Sequence, residues 1–156
     1  GKSYYGLIHD MDAQTIQECM QLHLTSLFML SQKLTDKLMK MKSSSIVVIT
    51  SIWGDTGASC EVLYSMVKGG QNAFVKGLSK ELAPMGVRVN AVSPGAVATE
   101  MMNNFSSEEI DEIAEDIPMG RLAKPEEIAS SISFLLSDQA SYITGHVLRV
   151  NGGWYT

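Results

Sequence analysis

Two β-branched runs, Ser45-Ile-Val-Val-Ile-Thr-Ser51 and Val87-Arg-Val-Asn-Ala-Val-Ser93, flank a helical stretch from about Val62 to Leu82. Strand, helix and strand in this order predict a right-handed crossover between parallel strands. Breakers fall where that reading needs them. Pro84 and Gly86 stop the helix, and Pro94-Gly95 ends the second run, where an open parallel sheet presents its carboxyl edge to ligands. A third run, Val147 to Val150, reads as the last strand. Pro125 opens another helix, with Glu126 and Glu127 in the first turn where the helix dipole favours them. Upstream, Asp12 to Lys42 reads as one long helix. Asp12 is its N-cap, and a stripe of Ile16, Met20, Leu24, Phe28 and Leu34 is expected to pack on the sheet. The polar, methionine-dotted stretch from Thr99 to Pro118 suits a mobile substrate lid.

The same crossover carries the chemistry. Tyr64 and Lys68, four apart, share a helix face, so the ammonium is expected to sit near the phenol and favour its ionised form. An unperturbed phenol has a pKa of about 10, whereas proton transfer works best when the pKa lies near the working pH. Ser51, at the end of the first strand, stands thirteen residues before Tyr64 and could hold a carbonyl oxygen. Alone, Tyr-x-x-x-Lys also fits a solvated helix face; its neighbours give it meaning.

Ser51, Tyr64-x-x-x-Lys68, Asn90-x-x-x-Pro94-Gly95-x-x-x-Thr99 and the late Val150-x-Gly152-Gly153 element resemble the short-chain dehydrogenase/reductase family, at the family's spacings and over essentially the whole chain. Within it, the chain looks most like the 3-oxoacyl-acyl-carrier-protein reductases of fatty acid biosynthesis. The opening Gly1-Lys-Ser-Tyr-Tyr-Gly-Leu7 and the Ser51-to-Glu61 loop also look like a subgroup that reduces a 5-aminopentanone modification on elongation factor P. The resemblance implies an α/β fold, the carboxyl-terminal part of a Rossmann-type doubly wound parallel sheet, with residues 1–156 forming a single incomplete domain. It also implies NAD(P)H-dependent reduction of a ketone, with NADP preferred over NAD by analogy. Tyr64 would donate the proton, Lys68 would lower the phenol pKa and hydrogen-bond the nicotinamide ribose, and Ser51 would orient the carbonyl. Backbone groups around Pro94, Gly95 and Val97 would hold the carboxamide, and Thr99 would reach a phosphate. The family usually has asparagine where this chain has His23, so His23 is either a proton relay through its ring or a structural helix residue.

No Gly-x-x-x-Gly-x-Gly phosphate loop occurs between a strand and a helix. Gly54 and Gly57 lead into the serine loop, and Gly69-Gly70 fall inside the Lys68 helix. By resemblance, Gly1 would be the last residue of the family's Asn-Asn-Ala-Gly segment, with the first, phosphate-binding half of the fold preceding it. At 156 residues and 45% hydrophobic content, one domain could bury roughly 68–70% of its unfolded surface. The sheet edge that normally pairs with the first half would be left open, an aggregation hazard unless covered, so the chain is not expected to fold well alone. A second reading follows: a catalytically inactive remnant serving as a binding or oligomerisation module. In the family the helices and the Val150-to-Trp154 segment build tetramers, and apolar faces such as Phe74 and Leu78 suit a homotetramer or homodimer.

A net charge of −5 and a pI near 5.1 argue against a nucleic-acid partner. No apolar run is long enough for a membrane span and no signal-like amino terminus is present, so a cytoplasmic location with Cys19 and Cys60 as free thiols is expected. His9, His23 and His146 are scattered, and no metal site is expected. The ten methionines, Met39, Met41, Met101 and Met102 among them, read as gap-filling core and lid residues. The expected substrate is a ketone, on a carrier-protein-bound acyl chain or a modified protein side chain.

Overall fold

A computed structural model describes residues 3–41 and 43–155. In chain order it has α1 (Ala13–Met20), a π-helical turn (Gln21–Thr25), α2 (Ser26–Met39), β1 (Ser44–Ile49), α3 (Trp53–Thr56) and α4 (Val62–Leu82). Then follow β2 (Val87–Pro94), α5 (Ser107–Asp116), α6 (Pro125–Leu136) and β3 (Val147–Val150). The three strands form one parallel sheet in the order β1-β2-β3, with Ser44 opposite Val87 and Ala91 opposite Val147.

Helices cover both faces of the sheet, which makes β2 buried along nearly its whole length and explains why it reads as an almost continuous apolar run. On one face, Val48, Val87, Val89 and Ala91 meet Val75 and Leu82 of α4, with Leu27, Leu38 and Met39 of α2 packed alongside. On the other, Val92 meets Ile128 and Leu135 of α6, with Val47, Leu148 and Val150 around them. The alternation of β2 residues between these clusters is the two-residue period of a strand. This is the expected α/β class, a partial Rossmann-type sheet.

Two polar side chains of β2 fix its surroundings. Buried Asn90 donates to the Ile143 carbonyl at 2.9 Å and accepts from the His146 backbone at 3.0 Å, setting the approach to β3. Arg88 donates to the carbonyls of Leu135 (2.7 Å) and Ser137 (3.1 Å), satisfying the open end of α6.

The long amino-terminal helix departs from expectation. Asp12 is its N-cap, accepting from the Thr15 backbone at 2.7 Å. The helix is interrupted by the π turn, however, and the expected last residue, Lys42, lies outside the described residues. Of its apolar stripe, Met20 and Leu24 are partly buried against Leu63, Tyr64 and Val67, but the rest is not on the buried side. Cys19, His23 and Ser31 are buried with Leu27 between them, whereas Ile16, Phe28 and Leu34 are exposed. Small and polar side chains at 19 and 31 let this helix lie close against α4 and β1, and the bulkier residues turn outward. Of the methionines, Met39 packs on the core as expected, but Met41 and Met101 are exposed. The Thr99–Pro118 stretch folds into a 3-10 turn (Glu100–Asn104) and α5, whose Ser106/Glu109 capping box is complete. Among the described residues no helix is long and apolar enough to cross a membrane, and no cluster of His, Cys, Asp and Glu could hold a metal ion.

Candidate active site

β1 ends by handing its hydrogen bonds to a loop that stays in register with β2. Thr50 donates through its backbone to the Val92 carbonyl at 2.8 Å, and Ile52 to the Pro94 carbonyl at 3.1 Å. Buried Ser51 is thus held at the carboxyl edge of the sheet beside the end of β2, where open α/β folds receive ligands. Its hydroxyl accepts from the Trp53 backbone at 3.3 Å, and its carbonyl from Gly54 at 2.9 Å. Gly54 lets the loop press onto α4: a Cβ there would lie 2.7 Å from the Lys68 carbonyl carbon. Tyr64 stands in the first turn of α4, where the Ser51 hydroxyl is near enough to favour the ionised phenol.

Tyr64 is 9% exposed and Lys68 6%. Their common face turns inward: the Lys68 ammonium lies 5.4 Å from the centre of the Tyr64 ring. The ammonium donates to the Ile49 carbonyl at the end of β1 (3.0 Å) and to Gln71 Oε1 (3.1 Å). Gln71 Nε2 in turn donates to the backbone carbonyl of His23, in the π turn, at 2.7 Å. The His23 ring, buried, stands edge-on to Tyr64 with centroids 5.7 Å apart.

The electrostatics run opposite to expectation. Burial, with the Glu61 carboxylate adding to it, pushes the Tyr64 phenol up to about 12, and the Ser51 hydrogen bond only partly offsets this. Burial likewise pushes Lys68 down to about 8. The low-dielectric setting that brings the two together disfavours the ionised form of each. At neutral pH the pair is therefore a protonated phenol beside an ammonium, a loaded proton donor rather than a phenolate.

The remaining expected positions spread away from this pair. Pro94 touches the serine loop through its carbonyl. Gly95 donates to Val150 at 3.1 Å and packs so closely that a Cβ would lie 3.0 Å from Asn151 Cα. Val97 bridges to Ala123, and exposed Thr99 turns its hydroxyl back to the Val97 carbonyl at 3.4 Å. Gly1 lies outside the described residues. An apolar groove of about 400 Å³ lies elsewhere, between α2 and α4, lined by Leu24, Phe28, Met29 and Phe74. Sequence reasoning missed Gln71, Gly54 and Glu61. A polar residue three positions after Lys68, on the face that must be buried, was the available signal for the first.

The chain matches the enoyl-(acyl carrier protein) reductase family over residues 2–155. It belongs to the short-chain dehydrogenase/reductase family. It is 61% identical over 155 residues to an uncharacterized oxidoreductase, YmfI, of Bacillus subtilis, covering 99% of this chain and 64% of that protein. It is 44% identical over 139 residues to the 3-oxoacyl-[acyl-carrier-protein] reductase FabG of Aquifex aeolicus, covering 89% and 56%. Against the Escherichia coli FabG it is 36% identical over 149 residues, covering 96% and 61%. This short-chain dehydrogenase/reductase chain therefore spans less than two thirds of the length of these relatives.

The residues present suit the nicotinamide end of the cofactor that the family implies. Lys68 has three N–H donors, of which Ile49 and Gln71 engage two. The chain carries no glycine-rich phosphate loop for the other end of a dinucleotide.

Proposed function

We propose that this chain carries the proton-donating half of an NAD(P)H-dependent carbonyl reductase, with a 3-oxoacyl thioester on a carrier protein as substrate and NADPH preferred. The buried Ser51–Tyr64–Lys68 cluster supports this reading, and the FabG relatives favour the thioester. When bound, the reduced nicotinamide supplies the hydride to the carbonyl carbon. Ser51 orients the carbonyl oxygen against Tyr64 Oη. Tyr64 gives its proton to that oxygen, and the ketone leaves as an alcohol. A phenol near 12 still suffices, because an alkoxide is a far stronger base than a phenolate. Lys68, an ammonium at pH 7, balances the phenolate left in the buried site and turns its third N–H to the ribose. Backbone at Pro94, Gly95 and Val97 would meet the carboxamide, and Thr99 a phosphate. The His23 ring, edge-on to Tyr64, is placed to relay or to pack. A ketone on modified elongation factor P is the alternative substrate, separable by assaying both with the same protein.

The exposed Phe28, Met29 and Leu30 with the adjoining groove support assembly into a homodimer or homotetramer. The deciding experiment is Tyr64→Phe in the full-length protein. Turnover should fall by roughly 10²–10⁴, with cofactor affinity nearly intact. Near-normal turnover would end the assignment.

A further inference from the structure

A buried ammonium must find acceptors, because each unpaired charge away from water is expensive. Lys68 finds one at the end of β1, the Ile49 carbonyl, and the second only one turn along its own helix, at Gln71. The Gln71 amide is itself buried, and both of its ends are engaged. An ammonium only donates and a carbonyl only accepts, so a single orientation of the amide satisfies Lys68 on one side and His23 on the other. The π turn supplies that second partner. Within Gln21–Thr25 the ladder widens, the Ser26 N–H reaches back to Gln21, and the His23 carbonyl accepts from Gln71. The result is an unbroken path from helix backbone through amide to ammonium.

We propose that Gln71 is a positioning residue: its side-chain amide tethers the Lys68 ammonium to the π-turn carbonyl of His23 and thereby fixes where the remaining Lys68 donor points. The inference rests on the reading of Tyr64 and Lys68 as the proton-donating pair. The other titratable groups around Lys68 are Cys19 from α1 and Tyr64 from its own helix; the His23 ring of the π turn packs on Tyr64, and Asp55 of α3 is held by Asn72 and Arg149. β1 contributes no titratable side chain.

The test uses two variants of the full-length protein. Gln71→Met keeps the bulk and removes both hydrogen bonds; Gln71→Glu keeps an acceptor and adds a negative charge. Turnover of a 3-oxoacyl thioester with NADPH is followed against pH. In parallel, Lys68 itself is titrated by NMR of its side-chain carbons, assigned by their loss in Lys68→Met. Parent turnover should fall as pH rises through about 8, where the ammonium is lost. In Gln71→Met that limb and the Lys68 titration should both move to lower pH, with kcat down about tenfold and KM little changed, the loss of one charge-assisted hydrogen bond. In Gln71→Glu both should move upward, an opposite shift that loss of packing alone would not produce. Should Gln71→Met fail to fold, the upward shift in Gln71→Glu carries the test. A limb and a titration unmoved in the variants, alongside a Tyr64→Phe protein that is inactive, would overturn this inference alone. An active Tyr64→Phe protein would overturn the reaction that it serves.

Discussion

The amino-terminal half of α4 buries Tyr64, Lys68, Gln71 and Asn72 beside the apolar Leu63 and Val67, whereas the carboxyl-terminal half buries Val75, Ser79 and Leu82. One continuous helix therefore meets two environments. Its first half faces the serine loop and the π turn, where Lys68 and Gln71 hydrogen-bond to each other and to the backbone. Its second half lies on Val87, Val89 and Ala91 of β2. Burial raises the phenol and depresses the ammonium in the first half, so that half holds a neutral phenol beside an ammonium whose charge the fold disfavours. In the second half, burial is simply the transfer of hydrocarbon from water. Apolar burial holds both ends of the helix, through Leu63 and Val67 as through Val75 and Leu82, but the chemistry sits at one end only.

The sharpest way to break this division is Leu82→Ala. Leu82 is almost wholly buried in the β2-facing cluster, so truncation should lower unfolding stability by about 2–5 kcal/mol. Turnover per folded molecule should stay at the parent value at temperatures well below the melting midpoint. Chemical denaturation paired with active-site-normalised rates checks both. A large fall in turnover without unfolding would mean that the two halves are not separable.

Gly54→Ala probes the seam between loop and helix. The added methyl would lie 2.7 Å from the Lys68 carbonyl carbon and 2.9 Å from the Gly69 nitrogen, backbone atoms that cannot rotate away. Overpacking of this kind should reduce stability by about 1–3 kcal/mol. Because the displaced atoms belong to the Lys68 residue, turnover should fall even in the folded fraction, unlike in Leu82→Ala. Thermal melts and rates on the same preparation test it, and full activity in Gly54→Ala would show that the seam does not position Lys68.

Much of this layout could be read from the residues in order. Val87-to-Ser93, Pro125 and the Val147–Val150 strand announced themselves because burial on both faces demands apolar runs and because proline and glycine end them. Ser51, Tyr64 and Lys68 were legible because their spacing survives folding as proximity on a loop and one helix face. The π turn was not. It inserts a single residue into the hydrogen-bond ladder, leaving helical composition unchanged on either side. For the same reason the expected stripe of Ile16, Met20, Leu24, Phe28 and Leu34 is only partly inward: Met20 and Leu24 pack beside Cys19, while Ile16, Phe28 and Leu34 turn out and Cys19, His23 and Ser31 are the buried side. Gln71 and Gly54 acquire their meaning only from contacts made across the fold, with His23 48 residues upstream of Gln71 and Lys68 downstream of Gly54. The phenol direction also escaped, since sequence spacing conveys the nearness of Lys68 but not the loss of water around both groups.

Lys68→Met gives the smallest stability effect and the most informative sign. The Lys68 pKa near 8 lies below the ordinary 10.5, so at pH 7 the buried ammonium weakens the fold by roughly 3 kcal/mol. Methionine removes that burden but leaves the Ile49 carbonyl and Gln71 Oε1 without their donor, a loss of roughly 1 kcal/mol each. The net should be a gain of about 1 kcal/mol at pH 7 in a protein without turnover. Between pH 8 and 10.5 the unfolded chain holds the Lys68 proton more tightly than the folded one, so the parent gains stability as pH rises through that window. The advantage of Lys68→Met should accordingly shrink and reverse toward pH 10, and denaturation midpoints at pH 7 and pH 10 measure it. A variant that is less stable at pH 7 and indifferent to pH would mean that the ammonium is well solvated by its partners, and that the polar groups of the first half of α4 contribute to stability as the apolar ones do.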